Sequence, residues 1–144
     1  MAHPVQITFD CADVRRLSGF YVEALHYKVM DPPQGFPTWE AALETWGVPR
    51  EEWDDGAHIV DPEGKGPRIY FQRMDTPKDR KNRLHLDVTV SGGRPVPLEE
   101  RRRRIDAEAE RLIGLGAKKE YPLDEPGHYS VTLTDPEGNE FCLN

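Results

Sequence analysis

Asp61-Pro62-Glu63-Gly64 recurs later in the chain as Asp135-Pro136-Glu137-Gly138. Asp first, Pro second and Gly fourth is the chemistry of a type I turn, with Gly free to take positive φ. Extended segments flank each copy. Ala57 to Val60 precedes the first and Arg68 to Met74 follows it. Tyr129 to Thr134 precedes the second and Glu140 to Asn144 follows it. Each tetrapeptide therefore predicts a β-hairpin.

Upstream of each hairpin the same order of elements appears. Val5 to Cys11 alternates, with Val5, Ile7, Phe9 and Cys11 on one face and Gln6, Thr8 and Asp10 on the other. Asp13 is placed to cap a helix whose apolar positions are Val14, Leu17, Phe20, Tyr21, Ala24 and Leu25. Tyr27 to Met30 reads as a short strand. In the second half Leu84, Leu86, Val88 and Val90 alternate with His85, Asp87 and Thr89. A helix from about Leu98 to Leu115 follows, Gly116 ends it, and Ala117 to Tyr121 reads as the next strand. The fold class is α+β: two βαβββ modules, about residues 1–77 and 78–144, within one domain. The expected arrangement is two curved mixed sheets, with helices on the apolar convex side and polar strand faces lining a concave groove.

The chain has 144 residues, enough to bury a core without disulfides or structural metal. No run approaches the length of a membrane span, no secretory signal is visible, and mean hydropathy is -0.73. A formal net charge of -7 argues against nucleic acid and anionic membranes as partners. Cys11 and Cys142 are too few for a disulfide framework. Their opposite strand parity predicts that both stay free. A cytoplasmic protein is expected.

Two stretches break the repeat. Residues 35–56 form an insertion in which Thr38 can cap a short helix through Trp46. Its tryptophans, Trp39, Trp46 and Trp53, read either as a satellite core or as an aromatic lid. Ser91 to Pro97 is a Gly/Pro-rich connection. The run Arg101 to Arg104 reads as a solvated helix face, because Glu99-Arg103, Glu100-Arg104, Arg102-Asp106 and Arg104-Glu108 are helix neighbours of opposite charge.

Phe9-Asp10-Cys11-Ala12-Asp13 running to Phe20-Tyr21, Lys81 to Asp87, Leu115-Gly116-Ala117 and Asp135 to Phe141, taken in order and spacing, resemble the vicinal oxygen chelate superfamily. That superfamily includes glyoxalase I, bleomycin-resistance proteins, fosfomycin-modifying enzymes and extradiol dioxygenases. In glyoxalase I-like members four groove strands each supply one metal ligand: His or Gln, Glu, His or Glu, and Glu. The resemblance places the first on Gln6, the second on Tyr70 or Gln72, the third on His85 and the fourth on Cys142. Both glutamates are missing, which removes charge compensation for a divalent ion and the base that glyoxalase I-like chemistry would use. Asp87, Asp10 and Glu140 share the groove parity and can substitute at an altered site.

The expectation is a small-molecule-binding, metal-independent protein resembling glyoxalase and bleomycin-resistance proteins, its ligand held by Gln6, Thr8, Tyr70, Gln72, His85, Asp87 and Cys142. No cofactor is expected. Any zinc or similar divalent ion would take Gln6, His85 and Cys142. The alternative is a metal-dependent glyoxalase-like lyase, isomerase or dioxygenase with a rearranged site at His85. The expected partners are a small organic molecule and a second copy of the chain in a homodimer.

Overall fold

Both tetrapeptides close as turns. In the computed structural model, which describes residues 1–144, the amide of Gly64 donates to the carbonyl of Asp61 at 3.0 Å, and that of Gly138 to Asp135 at 2.9 Å. Each aspartate locks its turn from within. The Asp61 carboxylate accepts the amides of Glu63, Lys65 and Gly66. That of Asp135 accepts the amides of Glu137 and Asn139 and the Asn139 side-chain nitrogen. Gly64 and Gly138 take φ of 70° and 87°, the left-handed region that disfavours a Cβ.

The chain divides into two compact units, Met1–Pro77 and Lys78–Asn144. The first runs β1 (Ile7–Cys11), α1 (Val14–Leu25), β2 (Lys28–Val29), α2 (Trp39–Thr45), a 3-10 turn at Arg50–Glu52, β3 (Gly56–Val60) and β4 (Ile69–Arg73). Its sheet has the order β1-β4-β3-β2. β1 lies parallel to β4, and the other pairs are antiparallel. The second unit runs β5 (Leu86–Val88), α3 (Leu98–Gly114), β6 (Lys118–Glu125), β7 (His128–Thr134) and β8 (Glu140–Leu143). Its order, β5-β8-β7-β6, repeats the plan, with β5 parallel to β8. The fold is α+β, with two four-stranded mixed sheets and three α-helices.

In each unit one sheet face is sealed by a helix. Leu17, Phe20 and Tyr21 of α1 are buried with Ile59, Ile69 and Phe71, and Phe9 tilts against Tyr21 and stacks on Phe71, at ring separations of 4.8 and 5.3 Å. Ile105, Ala109 and Leu112 of α3 are buried with Val131, Leu133, Phe141 and Leu143. Asp13 caps α1 by accepting the Arg16 amide at 3.0 Å, and Thr38 caps α2 through the Ala41 amide at 3.1 Å. α3 has no side-chain cap. It starts after Pro97 with Glu99 and Glu100 in its first turn, where negative charge meets the positive helix end.

Several expectations are corrected. Val5 and Leu84 are 73% and 72% exposed and lie outside the strands. β5 pairs only with β8, from Leu86↔Phe141 to Val88↔Leu143, so Leu84 has no strand opposite it. β6 runs on past Tyr121 to Glu125 despite Pro122. As an edge strand it tolerates the missing amide. Among the four charge pairs expected on α3, Glu100–Arg104 forms, at 2.8 Å. Arg103 turns to Glu100 at 2.6 Å. Arg102 pairs with Asp124 of β6, and Asp106 accepts the Tyr129 hydroxyl at 2.6 Å. Strands packed beside the helix offered better geometry than its own next turn. Neither cysteine is in a disulfide. No helix is long and apolar enough to cross a membrane.

Candidate functional site

Strand alternation leaves the face opposite α1 to polar and aromatic side chains. Across the first sheet, Thr8 of β1, Tyr70 of β4 and His58 of β3 share one row, and Asp10, Gln72 and Gly56 share the next. The Tyr70 and His58 rings stack at 4.4 Å. His58 also lies near-parallel to Trp39, at 6.4 Å. The Trp39 indole nitrogen is tied to the Met30 carbonyl at 2.7 Å, which fixes the outer ring of the stack. Tyr70 fits because residue 56 is glycine. A Cβ there would stand 2.7 Å from the Tyr70 hydroxyl. Burial lowers the pKa of His58, and the Arg68 charge lowers it further, so its imidazole is neutral near pH 7.

The insertion's other tryptophans differ in role. The Trp53 indole nitrogen donates to the Val48 carbonyl at 2.9 Å, beneath the Arg50 guanidinium. Trp46 is 54% exposed and meets only the edge of Phe36 among the rings. Trp39 alone joins the open strand face.

Gln6 lies one residue before β1 and is exposed. Its side-chain oxygen accepts from Arg68 Nε at 2.6 Å, and its nitrogen lies 3.4 Å from the Thr8 hydroxyl. Gln72 donates to Asp10 at 2.7 Å.

In the second unit the row Asp87, Cys142, Thr132 and Tyr121 crosses the open face of the sheet. His85 precedes β5, and its Nε2 lies 3.4 Å from an Asp87 oxygen. One donor atom each from His85, Asp87 and Cys142 falls within 4.8 Å of the others. The Cys142 sulfur contacts the Thr132 hydroxyl at 3.4 Å. Beyond Thr132 the face deepens into a cleft of about 460 Å³, lined by Lys81, Lys118, Glu120, Tyr121 and Thr134 among others. A bulge between Lys119 and Tyr121 goes with the contact between Glu120 and the Thr134 hydroxyl, at 3.3 Å. Glu140 is already engaged by the Asn82 amide at 2.9 Å and Lys78 at 3.2 Å. Burial pushes its carboxyl up, but those partners outweigh burial and hold it below the ordinary range.

Nitrogen, oxygen and sulfur donors at His85, Asp87 and Cys142 fit zinc, which accepts all three. They suit a hard oxygen-seeking ion less well. The cluster contains His85 and Cys142 from the expected ligand set, with Asp87 as its carboxylate. The oxygen of Gln6 faces a guanidinium instead, a poor neighbour for a cation. His58 was not among the residues expected to bind ligand. Its alternation with Ala57 and Ile59 was a usable signal, since it has the parity of Tyr70 across the turn.

No curated protein matches the chain. Solved structures do. A glyoxalase/bleomycin resistance protein/dioxygenase family enzyme from Burkholderia phytofirmans is 17% identical, with a TM-score of 0.61 over 96% of this chain and 94% of that one. A mutant of the fosfomycin resistance protein FosX from Listeria monocytogenes, complexed with Mn(II) and 1S,2S-dihydroxypropylphosphonic acid, is 12% identical, with a TM-score of 0.64 over 100% of this chain and 90% of that one. FosX from Mesorhizobium loti gives 0.63 at 12% identity, over 100% and 91%. At such identities the likeness speaks for the fold. The family itself rests on the model of the glyoxalase-like domain, which matches residues 6–144. With its paired sheets and repeated turns, the chain belongs to the glyoxalase-like domain family.

Proposed function

We propose that residues 1–144 act as one domain that binds a small organic molecule on its open strand faces without needing a metal. The observation that carries this reading is the Trp39–His58–Tyr70 ring stack beside the polar Thr8 and Gln72. A neutral imidazole between two aromatic rings gives a flat, weakly polar platform, and the flanking side chains can orient hydroxyl or carbonyl groups. Arg68 against the Gln6 oxygen supports metal independence, because it sets a positive charge where the family's first ligand would receive an ion. A thermal-shift screen of small organic molecules, run in chelator, tests the reading. The expected result is a stabilising compound whose effect survives chelation and is lost in Tyr70→Ala. Stabilisation that appears only with added metal would overturn it. A ligand held on the open face of the second unit would instead lose about 1–3 kcal/mol of affinity in His85→Ala, through one lost hydrogen bond. The reading also takes the protein as a cytoplasmic homodimer, tested by light scattering, and the edge strand β6, whose residues are all exposed, supports pairing.

A second reading is favoured by one observation, the convergence of His85, Asp87 and Cys142. Here the protein is a metal-dependent lyase, isomerase or dioxygenase of glyoxalase-like type. The FosX structure with Mn(II) is a precedent for a metal on this fold. A bound divalent ion would supply Lewis-acid polarisation of a substrate oxygen. His85 and Cys142 would hold it in their deprotonated forms, and Thr132 would support the sulfur. Metal analysis of protein purified without a metal-binding tag separates the readings. Stoichiometric zinc, lost in His85→Ala and Cys142→Ser, favours the second. Metal-free protein that still binds an organic ligand favours the first.

A further inference from the structure

The arginines of α3 divide into two groups. Arg102 pairs with Asp124, Arg103 and Arg104 with Glu100, and Arg111 with Glu108. Arg101 pairs with no carboxylate. Its Nε donates to the Val96 carbonyl at 3.0 Å and its Nη2 to the Gly127 carbonyl at 3.3 Å. One guanidinium thus bridges the loop that leads into α3 and the turn between β6 and β7. Between these walls lies a cleft of about 630 Å³, which Arg94, Arg101, His128, Ser91 and Asn144 help to line. No acidic side chain lines it, although the chain carries 26 acidic residues against 19 basic.

The loop wall is built to hold its shape. Ser91 is 2% exposed, and its hydroxyl oxygen accepts the Gly93 amide at 3.2 Å. Its carbonyl accepts from Arg104 at 3.1 Å. Gly92 and Gly93 both take positive φ, 85° and 78°. A Cβ on Gly92 would stand 2.9 Å from Arg104 and from Val96. The Gly-Gly pair therefore lets the loop lie against α3 and present Arg94 at the cleft. Arg94 is exposed and makes no ion pair.

We infer that this cleft is a second binding site, for a small molecule bearing a phosphate or carboxylate head. Two guanidinium groups without carboxylate partners, together with an imidazole, form a donor set matched to an oxyanion. In a chain of net negative charge they give a local positive field that steers such a molecule to this place. Arg94 and Arg101 lie off the strands and His128 only opens β7; none of the three is among the ligand- or metal-contacting side chains named above, so the inference stands independently of the proposed function.

The test is a titration of labelled protein with inorganic phosphate at constant ionic strength, followed by amide NMR, with sodium chloride as reference. Saturable shifts are expected at Gly92, Gly93, Arg94, Gly127 and His128. Arg94→Ala, in an exposed loop, should leave the remaining spectrum intact and weaken binding by about tenfold, the loss of one charge-assisted contact. A parallel titration with succinate distinguishes the two head groups, and saturable binding of either at these amides supports the site. Shifts that chloride reproduces, that spread over the whole surface, or that persist unchanged in Arg94→Ala would overturn it. So would binding of neither anion.

Discussion

Phe71 and Phe141 hold the same place in the two sheets. Phe71 lies opposite Phe9 and Phe141 opposite Leu86, each on the strand that runs parallel to its unit's first, and each is buried. One residue further the likeness stops. Gln72 faces Asp10 and binds it at 2.7 Å. Cys142 faces Asp87 and gathers His85 with it. The helix-facing residues preserve a common scaffold, while the open-face residues have different chemistry. One sheet offers stacked rings and a neutral imidazole, the other a trio of metal-competent donors. The repeat specifies where side chains can be displayed, and each unit fills those positions separately.

If the two cores are equivalent, Phe71→Ala and Phe141→Ala should cost about the same, about 3–5 kcal/mol each for a large buried ring, read from chemical denaturation. A large loss at one and little at the other would break the comparison. The turns should then differ. Asp135 is 2% exposed, and Asp135→Ala leaves three donors without their carboxylate, at about 1–3 kcal/mol. Asp61 serves three amides in a more open turn, where water can replace it, so Asp61→Ala should lower the unfolding midpoint less.

A subtler contrast lies in pH. The folded-state pKa of His58 is depressed below 6.5 by burial and then by Arg68. The unfolded chain therefore binds the proton more readily, and stability declines as pH falls through 6.5, levelling off below the folded value. His58→Phe, which keeps a ring in the stack, should flatten that slope in denaturation curves taken across the range. The smallest effect concerns the helix starts. Glu100 is held at about 2 by hydrogen bonds from Arg103 and Arg104. Its contribution is complete above 4.5 and disappears as pH falls toward 2. Glu100→Gln should remove that component from the acid loss of α3 helicity followed by circular dichroism.

Features encoded within a few residues were legible from sequence. The paired turns, the caps at Asp13 and Thr38 and the end of α3 near Gly116 all rest on local chemistry. Strand lengths were less legible because partners set them. β5 is short since β8 begins only at Glu140, and β6 is long since β7 supplies partners as far as His128. On α3, sequence spacing offered Asp106 to Arg102, but folding brought Asp124 and Tyr129 close enough to claim both. In the site, alternation identified Tyr70, Gln72, Asp87 and Cys142 as open-face residues. It gave no reason to set Trp39 against His58, because that contact depends on how the insertion returns to its sheet.

The parallel pairs also affect how the chain can be assembled. Asp10 meets a partner, Gln72, that lies 62 residues later, and the Asp87 row closes on Cys142 across a similar span. During synthesis each unit's first strand emerges long before the strand that will hold it, while the hairpins at Asp61 and Asp135 can close as soon as they are made. Nascent Ile7 and Phe9 are therefore exposed to stray pairing throughout that interval. The charged loops and helix made meanwhile must keep the unfinished sheet in solution. Folding of each unit thus waits on its last strand, and damage to β4 or β8 would cost a sheet both of its neighbours at once.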